Sequence, residues 1–288
     1  MAVLDGETAD ADESRPRLVR SLRGAGTEVA WLAAHAALYP LGVRSERAAD
    51  RTGPHRAGPH RVDDLSPQHR GLLAHDAAAA ATPILLVHGM VDNRSIFTVL
   101  RRSLRRCGFG QVRTVNYSVF TSDVRTAAAS LGRAVEDVCE RTGYDRVHVV
   151  AHSLGGVVAR YHVQCQGGDA RVHTLVTLGA PHGGTDAARI LPLRLCRQLR
   201  PGSDLIAELA APAPGCRTRF RAVWSDLEQL IYPKVNARID HPDLDAVSVL
   251  VQGVGHMSLP ANPQVGRIVT RALVHLDQDG TPTPSDCD

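Results

Sequence analysis

The stretch that decides the fold is Arg146-Val-His-Val-Val-Ala-His-Ser-Leu-Gly-Gly156, in which an apolar run ends abruptly at Ser153. The β-branched residues before the serine suit a strand buried on both faces, and the residues after it continue as a helix. Small residues flank the serine at Ala151 and Gly155. This pattern predicts a nucleophile elbow, a strained strand-to-helix turn that exposes a serine hydroxyl and needs small neighbours where the backbones cross.

The motif departs from its strict form at Ala151, where glycine is usual. An alanine methyl group still fits beneath many such turns, and Gly156 keeps the start of the helix close to the strand. The alternative is an ordinary strand-to-helix turn with a polar cap. The apolar residues on both sides of Ser153 favour the elbow.

Composition limits the function classes. The chain has 288 residues, enough for one large α/β domain with a substantial core. Lys and Arg total 33 and Asp and Glu total 30, so a net charge of +3 creates no strong field toward nucleic acid. No nucleic-acid motif is present either. The six cysteines include no Cys-x-x-Cys pair, which argues against a zinc knuckle, although Cys196 and Cys216 could form a disulfide in an exported protein.

Residues 1–80 are expected to form a helix and a polar linker that precede the body or pack on it. The apolar run at 29–39 is too short to cross a membrane, which needs about 20 residues, so it favours an amphipathic helix in peripheral contact with a membrane or with the body. Ala34-His-Ala36 leaves signal-peptide cleavage open. A cytoplasmic location is the default, with membrane association or secretion as alternatives. Four linker histidines are expected to be solvated rather than bound to metal: His55, His60, His69 and His75.

From residue 81 to 288, apolar runs suited to strands alternate with helical patterns. This alternation predicts a single α/β catalytic domain with a mostly parallel central sheet of at least six strands, flanked by helices. In such sheets, reactive groups gather beyond the carboxyl ends of the strands. The predicted strands lie at 84–87, 112–117, 146–151, 172–178, 220–224 and 246–251.

A serine hydroxyl is a weak nucleophile until a base takes its proton, and the base needs a carboxylate to orient it. After an elbow of this kind, the acid precedes the histidine in the chain. His256, in a glycine-rich loop past the last strand, is the candidate base, whereas His182 lies too early in the chain. Asp226, two residues past the fifth predicted strand, is the candidate acid. Its alternative is a solvated loop aspartate or a helix cap, and Glu228 is expected to face another part of the loop.

Acyl transfer also needs N–H donors aimed at a developing oxyanion. Leu154, directly after the serine, and Met90, in the loop after the first strand, are the candidate backbone donors. Residues expected to line the substrate pocket are His88, His152, His182 and Ile190.

Residues 187–219 form an insertion before the fifth strand. Leu191, Leu195 and Leu199 share one helical face there. The insertion is either a lid that presents apolar surface to acyl chains or a helix packed on the sheet.

Together these motifs resemble the bacterial lipase and esterase branch of the α/β-hydrolase family, over about residues 83 to 275. The resemblance implies a carboxylic ester hydrolase with a triad of Ser153, Asp226 and His256, acting on a small-molecule ester or lipid without a cofactor or metal. An acyltransferase, a thioesterase and a silent binding protein remain alternatives. The motifs are His88-Gly89, Ala151-His-Ser-Leu-Gly-Gly156, Leu178-Gly-Ala-Pro-His-Gly-Gly-Thr185, Trp224-Ser-Asp226 and Gly253-Val-Gly-His256.

Overall fold

The computed structural model describes residues 81–90, 93–115, 123–190 and 192–274. The apolar run at 29–39, the signal-peptide motif and the four linker histidines lie outside the described residues, as does Leu191. No helix within the described ranges is long and apolar enough to cross a membrane.

A six-stranded sheet forms the centre of the described part of the chain, and all its neighbouring strands are parallel. The strand order is β2-β1-β3-β4-β5-β6. This architecture confirms the predicted α/β fold. The strands are β1 (Ile84–Val87), β2 (Val112–Val115), β3 (Val147–His152), β4 (Val172–Leu178), β5 (Arg219–Leu227) and β6 (Asp245–Gly255).

Six α-helices connect and flank these strands in the described ranges. The longest begins where the Asp123 side chain accepts the N–H groups of Arg125 and Thr126, and it ends at Gly143 with a φ of 74°. The helices are α1 (Thr98–Arg106), α2 (Val124–Thr142), α3 (Leu154–Cys165), α4 (Arg194–Gln198), α5 (Asp204–Ala210) and α6 (Pro263–Leu273).

The sheet separates two hydrophobic clusters because successive strand residues point to opposite faces. Leu85 and Val87 of β1 face a cluster that contains α2 to α5, whereas Ile84 and Leu86 face a cluster that contains α1 and α6. Both faces are therefore covered. This burial explains why β1, β3 and β4, which are buried along their whole length, are rich in apolar residues.

The insertion at 187–219 packs on the body through α4 and α5. Leu195 and Leu199 are buried in the same cluster as α2 and α3. The Gln198 side chain also accepts the N–H of Val124 at 2.9 Å. In this structure the helices of the segment are packed on the body, and Cys196 and Cys216 are free thiols rather than a disulfide.

Buried histidines are an unusual feature of the core. His148 of β3 is fully buried 5.5 Å from the ring of His173, and neither of its ring nitrogens has a hydrogen-bond partner among the described residues. Burial, helped by His173 and two nearby arginines, lowers the pKa of His148 to about 3. The unfolded chain binds this proton near pH 6.5, so acid favours unfolding.

We therefore expect the free energy of unfolding to fall as the pH falls below 6.5. His148 alone should contribute about 1.4 kcal/mol per pH unit, or about 2 kcal/mol between pH 6.5 and 5.0. Urea unfolding of wild type and His148→Leu at pH 7.5 and 5.0 measures this contribution. The variant should lose less stability on acidification, and an equal loss in both proteins would contradict the assignment.

Candidate active site

Ser153 occupies the turn between β3 and α3 with φ 54° and ψ −127°. It is the one non-glycine residue with positive φ in the described part of the chain. A Cβ added at Gly155 would lie 2.4 Å from the carbonyl oxygen of His88, and one at Gly156 would lie 2.4 Å from the Cβ of Ala180. Only glycine fits these crossings, so the structure confirms the predicted elbow.

Glu228 and His256 meet just beyond the ends of β5 and β6. His256 Nδ1 lies 2.8 Å from Glu228 Oε1 and 3.0 Å from Oε2. The side chains are 2% and 0% exposed. The pair is therefore shielded from water, where its interaction is stronger than at the surface.

Backbone groups hold the carboxylate of Glu228 in place. Its Oε1 accepts the N–H groups of Gln229 at 3.0 Å and Leu230 at 2.9 Å. Burial alone would raise the pKa of Glu228, but His256 and the N–H of Leu230 together hold it below its ordinary value. An ionised Glu228 accepts Nδ1–H and leaves Nε2 of His256 to act as a base.

The predicted pairing of Asp226 with His256 is wrong. β5 continues past residue 224 to Leu227, so Asp226 lies within the strand with its side chain exposed. Its Oδ1 accepts the N–H of Gly253 at 2.7 Å. The first residue beyond the strand is Glu228, which is 5% exposed and takes the place that the sequence assigned to Asp226.

Further contacts fix the position of His256. Its N–H donates to Gln229 Oε1 at 3.1 Å, and His152 Nε2 donates to its carbonyl oxygen at 3.1 Å. The rings of His152 and His256 lie 4.8 Å apart. Because His152 directly precedes Ser153, these contacts tie the candidate base to the strained turn.

Gly179, at the end of β4, allows the pair to form. Its φ is +56°, and an added Cβ would lie 3.2 Å from both Glu228 Oε2 and His256 Nδ1. Sequence reasoning missed the roles of Glu228, Gln229 and Gly179. Strand alternation could not separate the two acids, because residues 226 and 228 would share a face in a regular strand. The pairing of β5 with β6 is irregular between Ser225 and Leu227.

The structure buries three of the four residues predicted to bind substrate. His88, His152 and His182 are at most 3% exposed. His88 Nδ1 donates to the Gly89 carbonyl oxygen at 2.9 Å. His182 Nε2 lies 2.8 Å from the hydroxyl of Thr177, and burial, then Arg160, lowers the His182 pKa well below its ordinary value. The fourth predicted residue is 79% exposed, on the outer surface: Ile190.

The candidate oxyanion donors lie where the β1 loop approaches the elbow. Leu154 is the first residue of α3, where backbone N–H groups point away from the helix. Met90 is partly buried against the cluster that contains α3. The contact of the His88 carbonyl with Gly155 brings the two loops together.

The rate at which Ser153 reacts with a fluorophosphonate distinguishes Glu228 from Asp226 as the partner of His256. Glu228→Gln should slow phosphonylation by about 10²–10⁴-fold, since an amide cannot hold His256 in the required tautomer. Asp226→Asn, the matched control two residues away, should react within about threefold of wild type. Intact-mass spectrometry over time measures both rates. Equal losses in the two variants would contradict the assignment of Glu228.

Two curated relatives match part of the chain. Proteins named triacylglycerol lipase from Pseudarthrobacter phenanthrenivorans and Burkholderia plantarii are each 29% identical to it over 119 residues. These matches cover 38% of this chain and 36% and 32% of the two relatives. The matched segment thus spans about a third of the length of each relative.

Solved structures agree on the fold. The mature form of Bacillus licheniformis lipase BlEst2 aligns with a TM-score of 0.57 at 15% identity, covering 68% of this chain and 93% of that one. Aspergillus fumigatus lipase B aligns with a TM-score of 0.55 at 15% identity, covering 73% of this chain and 55% of that one. These likenesses show the α/β-hydrolase fold.

A family model described as palmitoyl protein thioesterase matches residues 83–231, which include the elbow at Ser153 and the buried Glu228. This match covers more than half of the 288 residues. The chain therefore belongs to the palmitoyl protein thioesterase family.

Proposed function

We propose that the protein is a serine hydrolase of acyl esters, with Ser153 as nucleophile, His256 as general base and Glu228 as the orienting acid. The observation that carries this proposal is the buried Glu228–His256 pair, attached through His152 to the strained turn of Ser153. Backbone strain and buried charged pairs of this kind occur mainly at functional sites.

In the first half of the proposed reaction, His256 Nε2 takes the proton from the Ser153 hydroxyl as its oxygen attacks the ester carbonyl carbon. The carbonyl electron pair moves onto oxygen and forms a tetrahedral oxyanion. Glu228 remains ionised and stabilises the positive imidazolium ring. The ester bond then breaks, and the departing alcohol takes the proton from His256.

The oxyanion needs donors that are already in place. We assign this role to the backbone N–H groups of Leu154 and Met90, because the N-terminus of α3 and the β1 loop approach each other beside Ser153. Preformed donors need no reorganisation as charge develops, and one such donor contributes about 10²–10³-fold to turnover in well-studied hydrolases.

In the second half, water replaces the alcohol. His256 removes a proton from a water molecule, whose oxygen attacks the acyl carbon of the Ser153 ester. The tetrahedral intermediate collapses, Ser153 leaves with the proton from His256, and the carboxylic acid is released. Each step uses groups of this chain and water.

Oxygen esters with lipid-like acyl chains are the proposed substrates. This substrate class is supported by the names of the two relatives, both triacylglycerol lipases, which match part of the chain.

Thioesters are a second candidate class, favoured by the description of the matching family as palmitoyl protein thioesterases. The same steps would apply, with a thiol as the leaving group. A thiol leaves more readily than an alcohol, so the demand on His256 as an acid would be smaller.

Hydrolysis of nitrophenyl esters with acyl chains of two to sixteen carbons tests the proposed function. Wild type should show turnover, and Ser153→Ala should reduce it by about 10⁴-fold or more, because the nucleophile is lost. Circular dichroism of the variant checks that the fold survives. Turnover at the wild-type rate in a folded Ser153→Ala variant would contradict the proposal.

The leaving-group class is decided by comparing kcat/KM for an oxygen ester and a thioester with the same acyl chain, such as nitrophenyl palmitate and palmitoyl-coenzyme A. An ester hydrolase should prefer the oxygen ester after correction for the two uncatalysed rates. A corrected preference for the thioester of about tenfold or more would favour the thioesterase assignment. Ser153→Ala again supplies the blank for both substrates.

A further inference from the structure

Exposed apolar side chains are concentrated in one place. Of the seven large hydrophobic residues that are exposed within the described ranges, five lie in two short segments, 190–193 and 230–235. Scattered single exposed hydrophobics are ordinary, but a contiguous group marks an interaction surface. The five residues, here called the apolar rim, are Ile190 (79% exposed), Tyr232 (68%), Leu193 (52%), Val235 (52%) and Leu230 (50%).

Hydrogen bonds join the residues just before the first segment to the second segment. The hydroxyl of Thr185 donates to the carbonyl oxygen of Leu230 and accepts the N–H of Tyr232, both at 2.9 Å. The N–H of Asp186 donates to the carbonyl oxygen of Tyr232 at 2.8 Å. A short 3₁₀ helix, Asp186–Arg189, leads from these bonds to Ile190, so the two segments of the apolar rim begin close to each other.

This surface borders the candidate active site. Leu230 lies two residues after Glu228, and its N–H donates to Glu228 Oε1 at 2.9 Å. The other segment follows the loop that leaves β4 at Gly179, beside His256. The Leu230 end of the apolar rim therefore lies beside Glu228 of the candidate site.

Basic residues are frequent in the two segments that carry the apolar rim. Within residues 185–198 and 229–238 the sequence has five basic side chains and one acidic side chain, Asp186. Arg189 pairs with Asp186 at 2.9 Å and Arg194 with Asp123 at 3.4 Å, so the positive excess of these segments comes from Arg197, Lys234 and Arg238. The basic residues are Arg189, Arg194, Arg197, Lys234 and Arg238.

We propose that the apolar rim is a docking surface for an anionic lipid bilayer, from which acyl esters reach Ser153. Apolar side chains of this size can enter the boundary between headgroups and acyl chains, while Arg and Lys attract anionic headgroups. The residues of this surface are separate in the sequence from the apolar run at 29–39. The delivery of substrate rests on the proposed function, but membrane binding does not.

Sedimentation with vesicles tests the docking surface. The full chain is mixed with vesicles of phosphatidylcholine alone or with 30% phosphatidylglycerol, at low and high salt. Wild type should bind the anionic vesicles more tightly and lose affinity as salt rises. Leu193→Ser/Tyr232→Ser should reduce that affinity by about tenfold or more.

The matched control uses the two exposed hydrophobics outside the apolar rim. Val99→Ser/Leu250→Ser replaces side chains that are 40% and 43% exposed, and should bind within about twofold of wild type. Equal binding by wild type and Leu193→Ser/Tyr232→Ser would overturn the proposal and move membrane contact to another part of the chain. The proposal would also be overturned if wild type did not bind the anionic vesicles. The same holds if Leu193→Ser/Tyr232→Ser changed only the self-association of the protein.

A water-soluble two-carbon ester separates this proposal from the proposed function. Leu193→Ser/Tyr232→Ser should hydrolyse it at the wild-type rate, because no rim side chain belongs to the reacting groups. Normal hydrolysis without vesicle binding by wild type would refute docking alone. Vesicle binding without hydrolysis would instead refute the proposed function and leave docking supported.

Discussion

The close crossing of backbones at the turn of Ser153 is the constraint on which the rest of the site depends. A serine with a φ of 54° is unfavourable by about 1–3 kcal/mol, and the turn persists because packing fixes both sides of it. β3 and α3 are buried in the same cluster, and the Ser153 N–H donates to the carbonyl oxygen of Leu178 at 2.9 Å. Gly155 allows the β1 loop to approach without a steric clash. The site is therefore assembled by packing between segments that are far apart in the sequence.

A buried carboxylate is a second constraint, because burial of an unpaired charge strongly destabilises a fold. Glu228 meets this constraint with hydrogen bonds from His256 Nδ1, Gln229 N–H and Leu230 N–H. The same contacts orient the imidazole for proton transfer. Stability and proposed catalysis thus depend on one network, which also anchors the backbone that leads into the apolar rim.

Sequence patterns predicted the central strands most clearly, because β1, β3 and β4 are buried along their whole length and are rich in apolar residues. The elbow and His256 were also predictable, since small residues and a glycine-rich loop mark them. The identity of the acid, Glu228, was not predictable from the sequence. The apolar residues of β5 end at residue 224, but the strand continues to Leu227, and its pairing with β6 is irregular there. The exposure of Ile190 was not predictable either, because it depends on tertiary contacts that sequence periodicity does not reveal.

A crystal structure of the protein after reaction with a long-chain phosphonate tests the central claim most directly. The account predicts phosphorus bonded to Ser153 Oγ, a phosphonyl oxygen facing the N–H groups of Leu154 and Met90, and His256 still hydrogen-bonded to Glu228. A phosphonate on another residue, or His256 bonded to Asp226 in the adduct, would contradict the account.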